Sequence, residues 1–118
     1  MTPTRLKQVA DADKTDFNYY AKTILQQMQY PNIVVFYTWG AKGFTLAATE
    51  DKNEPVLFFQ VNGRKFRGVV MIIYDWADYY RIEFVKNGEV THKVDEVYFD
   101  ELQSTIDEYI EKISDYKF

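Results

Sequence analysis

The sequence predicts a single α+β domain: an N-terminal helix, a five- to six-stranded, mostly antiparallel meander sheet with two Asn-Gly hairpins, and a C-terminal amphipathic helix. Three observations predict it. Phe17, Tyr20, Ala21, Ile24, Leu25 and Met28 recur at the three-and-four spacing of one helix face. From Ile33 to Val94 the chain breaks into runs of β-branched and aromatic residues separated by turn residues, among them Asn62-Gly63 and Asn87-Gly88. The last segment places Phe99, Leu102, Ile106, Tyr109, Ile110 and Ile113 on one side of a helix and acidic or polar residues on the other.

At 118 residues, 47 % of them hydrophobic, the chain has the size of one domain (1–118) and enough apolar material for one core. Residues 1–14 are polar, with Leu6, Val9 and Ala10 spaced for a helical turn or two, and read as a loosely ordered part of the domain. The first firm helix starts near Asp16, with Thr15 or Asp16 as its cap, and stops at Pro31, which removes a donor and pushes Tyr30 out of helical geometry.

Ile33 to Trp39 then reads as a strand, Gly40-Ala41-Lys42-Gly43 as a turn, and Phe44 to Thr49 as the strand returning from it. After a charged loop, Val56 to Val61 and Phe66 to Tyr74 form a hairpin, Asn62-Gly63 suiting a type I′ turn in which both central residues take positive φ. Asp75-Trp76-Ala77-Asp78 breaks the chain again, and Tyr79 to Lys86 pairs with Glu89 to Val94 through Asn87-Gly88. Asp100 is the expected N-cap of the final helix, with Gln103 completing a capping box. The strands Ile33–Tyr37, Val56–Phe59 and Val69–Tyr74 are apolar on both faces. Either the two helices sandwich the sheet, or both lie on one face and a second copy covers the other.

Several function classes find little footing. Without cysteine the chain has no thiolate nucleophile, disulfide or cysteine metal site, and its single histidine, His92, sits in a half-polar strand as a surface residue. No cofactor and no metal site is expected. Net charge is −4, against a phosphate-tracking surface. The basic run Arg64, Lys65 and Arg67 alternates with Phe66 across two faces, so a nucleic-acid partner is not favoured. Gly40 to Gly43 lacks the spacing of a phosphate loop, and Glu83 and Lys86 fall on opposite faces of their strand. No apolar run suits a signal peptide or a membrane span, which places the chain in the cytoplasm with no membrane partner.

Two features stand out. Aromatic residues make up 18 % of the chain, and Tyr19, Tyr30, Tyr79, Tyr98 and Tyr116 fall at element edges or off the apolar stripes, where tyrosine serves interfaces. The C-terminal element is acidic: residues 95–118 carry eight acidic side chains against Lys112 and Lys117, with Asp107, Glu108, Glu111 and Asp115 facing away from the apolar stripe. Together they point to a non-catalytic protein-interaction module, binding a protein or a second copy of itself, through Asp75, Trp76, Asp78, Tyr79, Tyr98, Asp107, Glu108 and Glu111. A small-ligand domain with an aromatic pocket is the alternative. An enzyme would have to use Asp75 and Asp78 with Arg81. The composition resembles that of accessory proteins of phages and mobile elements, and no motif takes that resemblance further.

Overall fold

The computed structural model describes residues 1–111, in which six strands run as an antiparallel meander in the order β1-β2-β3-β4-β5-β6 and curl into a half-barrel. The helices are α1 (Lys14–Met28), α2 (Ile33–Thr38) and α3 (Leu102–Ile110). The strands are β1 (Leu6–Lys7), β2 (Lys42–Thr49), β3 (Pro55–Asn62), β4 (Arg67–Asp75), β5 (Tyr79–Lys86) and β6 (Glu89–Val97). Ile113, Asp115 and Tyr116, and with them the end of the expected apolar stripe and acidic face, lie outside the described residues.

Alternation along the strands sorts two apolar sets. Phe59 of β3, Ile72 of β4 and Ile82 of β5 share one cluster with Ile24 and Met28 of α1 and with Ile106 and Ile110 of α3. Both long helices therefore cover the same face. The opposite face carries a smaller cluster of Ala47, Val56, Met71 and Ile73, with Leu6 and Phe58 packed against it.

The N-terminal residues run across that second face. The Met1 carbonyl accepts from the Val90 N–H of β6, Thr4 donates through its N–H and its hydroxyl to the buried Glu83 of β5, and Leu6 and Lys7 pair with Thr49 and Ala48 of β2. A short 3₁₀ turn at Asp11–Asp13 then leads into α1.

The expected strand over Ile33–Trp39 is a helix. Asn32 caps it, its Oδ1 accepting from the Val34 N–H at 3.0 Å, and the three-residue spacing of Phe36 and Trp39 turns both rings into the main core. The β-branched composition of this run expresses only a weak backbone preference, which two buried rings at helical spacing override. The hairpin expected between Ile33–Trp39 and Phe44–Thr49 is accordingly absent, and β2 pairs instead with β1 and β3.

Both Asn-Gly hairpins form, with different turns. Asn87 and Gly88 take φ of 52° and 78° between the paired Lys86 and Glu89, the two-residue turn that the dipeptide favours. At the other, Asn62 pairs with Arg67 across a four-residue loop. Gly63 is needed there for closeness: a Cβ on it would lie 2.1 Å from the Ile110 carbonyl oxygen. The loop seats the end of α3, with the Lys65 N–H donating to the Ile110 carbonyl at 3.0 Å.

The start of α3 also differs from expectation. Tyr98 and Glu101 form the reciprocal cap, the Tyr98 N–H donating to Glu101 Oε1 at 3.3 Å, and a 3₁₀ turn at Phe99–Glu101 precedes the helix. Gln103 is buried instead, its amide donating to the carbonyls of Met28 and Asn32 at 2.8 Å each, so that it ties the α1–α2 junction to α3. No helix among the described residues is long and apolar enough to cross a membrane.

Candidate functional site

The β4–β5 turn brings most of the aromatic candidates together. Asp75 pairs with Tyr79 across a three-residue loop, which Asp78 closes at φ 72°, and the Asp75 carboxylate accepts from the Ala77 N–H at 2.8 Å. Tyr74 and Tyr80 are register partners one step below, on the face toward α1. There Tyr74 stacks on Tyr20 at 4.9 Å between centroids, and Trp76 stands edge-on to both rings. The Trp76 indole N–H donates to the Lys52 carbonyl at 3.0 Å, which holds the ring upright although half of it is exposed.

Between this turn, α1 and the start of α3 lies an open groove of about 330 Å³. Tyr19 and Tyr20 of α1 line it, as do Tyr79, Tyr98 and Phe99. Its floor is Tyr80, whose hydroxyl donates to Gln27 Oε1. Asp78 stands at the rim, accepting a hydrogen bond from the Tyr74 hydroxyl at 2.5 Å.

The groove's electrostatics follow from that placement. The hydrogen bond to Asp78 is the main reason the Tyr74 phenol is pushed up to about 12, with burial and the carboxylate's charge adding to it. Burial likewise raises the Tyr80 phenol. Both stay neutral near pH 7. Asp78 is then the one charged side chain lining the groove among the described residues.

Asp75, next to this site in sequence, turns away from it. Its carboxylate joins the Arg81 guanidinium on the opposite face of the sheet, where Arg81 also clamps the buried Glu54 with two hydrogen bonds of 2.8 and 3.0 Å. Thr49 completes the network by donating to Glu54 at 3.2 Å. The Ala77 N–H chiefly, and Arg81 after it, hold the Asp75 carboxyl below its usual range. Arg81 is raised, first by its hydrogen bonds to Glu54 and against the cost of burial. Asp75, Asp78 and Arg81 thus do not converge on one reaction centre.

The acidic helix face is partly consumed inside the chain. Asp107 Oδ1 accepts from the indole N–H of the buried Trp39 at 3.0 Å. Glu111 takes up the Arg64 N–H at 2.9 Å and its guanidinium at 3.2 Å, and Lys65 donates to the Glu108 carbonyl at 2.5 Å. The basic run and the acidic helix are therefore partners of each other, and the cations sit where the C-terminal end of the helix dipole favours them. The Glu108 carboxylate remains outward, beside His92, whose ring stacks on Tyr109 at 4.5 Å.

Of the eight sequence candidates, the structure collects Asp78, Tyr79 and Tyr98 at the groove and Trp76 beside it, and places Asp75, Asp107, Glu108 and Glu111 elsewhere. Sequence reasoning missed Tyr20, Tyr74, Tyr80 and Phe99. Tyr20 belongs to the apolar stripe of the first helix and Tyr74 to a strand apolar on both faces, and Phe99, counted in the last helix's stripe, is 63 % exposed. A signal existed: Tyr74 and Tyr80 flank the turn symmetrically, so antiparallel pairing had to set them side by side.

The fold and groove define a small α+β meander domain with an aromatic, singly charged surface site. Compared with protein-family models, with curated proteins and with solved structures, the chain finds no match in any of the three.

Proposed function

We propose that this chain is a non-catalytic interaction module that receives a segment of another polypeptide in the tyrosine groove. One observation carries the reading: three large exposed aromatic side chains, Tyr19, Tyr98 and Phe99, line one groove, with the exposed Trp76 beside it. Tyrosine suits such a role because its ring supplies contact area with few rotatable bonds while its hydroxyl stays wet. Selection of displayed random peptides on the immobilised chain tests the reading. Enriched peptides should lose binding to a Tyr98→Ser/Phe99→Ser variant, both sites being exposed enough to spare the fold. No enrichment, or binders indifferent to that variant, would overturn it.

Self-association is the second form of the same reading, favoured by α2. Its outer side presents Val34 and Tyr37, 63 and 66 % exposed, beside Phe44, which stacks on Phe36. Sedimentation velocity over a wide concentration range should show a dimer that Val34→Lys and Tyr37→Lys dissolve, and a concentration-independent monomer would exclude it. A small-ligand site is the remaining alternative, supported by a groove volume at the lower end of the range for ligand pockets.

A further inference from the structure

Resting on the polypeptide-binding reading, we infer that the tyrosine groove is built for a cation, and that its occupant is a lysine or arginine side chain projecting from the partner segment. The argument is one of charge complementarity. Aromatic residues line the groove, Tyr19, Tyr20 and Tyr98 among them, and an aromatic ring attracts a cation through the negative face of its quadrupole. The carboxylate of Asp78 stands at the same rim.

Nothing of opposite charge lines the groove among the described residues to neutralise that carboxylate. Arg81, three residues past Asp78 in the chain, is bound to Asp75 and Glu54 on the other face of the sheet, and Lys52, whose carbonyl accepts from Trp76, does not line the groove. Tyr74 donates to Asp78 and Tyr80 donates to Gln27, so these hydroxyls hold the lining in place and the carboxylate keeps acceptor capacity for a newcomer. A guanidinium or ammonium on a long aliphatic stem fits both requirements, its stem lying along the rings and its head meeting Asp78.

An apolar occupant would take water from Asp78 and leave it the Tyr74 hydroxyl alone, with no counter-charge, and an anion would be repelled by it. The polypeptide origin follows from the surroundings: the exposed Phe99 in the lining and the exposed Trp76 beside it extend the surface beyond what one side chain covers.

The test is a titration of the ¹⁵N-labelled chain with four blocked tripeptides, Gly-X-Gly with X as lysine, trimethyl-lysine, arginine or norleucine, and with choline as a free cation. The Trp76 indole resonance and those of Tyr79 and Tyr98 are the reporters. The cationic peptides should bind about five-fold or more tightly than the norleucine peptide. Asp78→Asn should remove most of that preference without disturbing the fold, because asparagine tolerates the left-handed φ of this position and still accepts from Tyr74. Glu89→Gln, at the remote β5–β6 turn, should leave binding unchanged.

Equal binding of the norleucine and lysine peptides, or an Asp78→Asn variant that binds like the parent, overturns the cation assignment while display-selected, groove-dependent peptides keep the module reading alive. Choline bound more tightly than every peptide overturns the polypeptide origin of the cation. Failure of display selection itself would instead bring down the reading on which the inference rests.

Discussion

The indole N–H of Trp39 donates to the carboxylate of Asp107 at 3.0 Å, joining the end of α2 to the middle of α3 through a tryptophan with no solvent exposure. A residue that looks like part of a solvated acidic face is in fact the hydrogen-bond partner, among the described residues, of a buried donor. Asp107→Ala should cost about 1–3 kcal/mol by stranding that N–H. Asp107→Asn keeps an acceptor and should cost less, and Glu108→Ala, on the outward side, should stay within about 0.5 kcal/mol. Urea unfolding of the three variants checks the order.

Gly63 and Gly88 are both hairpin glycines with different duties. At Gly63 an added Cβ meets the Ile110 carbonyl at 2.1 Å, so Gly63→Ala must push the β3–β4 loop off the end of α3. A loss of about 2–3 kcal/mol is expected, since backbone cannot yield as a side-chain tip does. Gly88→Ala meets nothing within 4 Å and suffers only from its φ of 78°, which costs about 1–2 kcal/mol. Thermal or urea melts should rank Gly63→Ala as the more damaging.

The capped helix α2 makes a prediction that a strand at the same place would not. Asn32→Ala removes the side-chain acceptor of the Val34 N–H and should cost about 1 kcal/mol. Asn32→Asp should retain the cap. Because Val34 and Tyr37 both face outward on the helix, Val34→Lys and Tyr37→Lys together should be near neutral for stability, whereas the opposite faces of a strand would bury one of them. Circular dichroism and urea midpoints decide between the two outcomes.

The Asp75–Arg81–Glu54 network sets an acid dependence. Asp75 ionises below its ordinary value in the folded chain, so its contribution is complete above the unfolded pKa of about 4 and is lost as pH falls through the lower, folded value. Stability should therefore decline below about pH 4, and Asp75→Asn should flatten part of that decline. Glu54 is 1 % exposed, and Arg81→Met, which leaves it buried without its cation, should cost about 3–5 kcal/mol at pH 7. Urea midpoints between pH 3 and 7 test both statements.

Local pattern carried much of this architecture. The helix stripe from Phe17 to Met28 and the turn-bounded runs of β-branched and aromatic residues from Val56 onward are patterns that burial enforces wherever the chain folds. Asn87-Gly88 takes positive φ at both residues because little else adopts it cheaply. The stretch from Ile33 to Trp39 was illegible for the converse reason. Its β-branched residues state a preference worth tenths of a kcal/mol, while the burial of Phe36 and Trp39 is worth several times more and becomes visible only once a core exists to receive them.

The site divides the same way. That tyrosines were in surplus, and that Asp78, Tyr79 and Tyr98 stood at element edges, could be read from the residues. That Asp75 would face Arg81, that Arg64 and Asp107 would find partners inside the chain, and that Tyr20 would stack on Tyr74 could not. Sequence by itself determined the elements whose hydrophobic period is self-consistent, together with the chemical character of their edges. Only the tertiary structure decided that both long helices share one face, that the N-terminal residues cover the other, and which polar groups are left for a partner. Those outcomes depend on contacts between residues far apart in the chain, which no local pattern encodes.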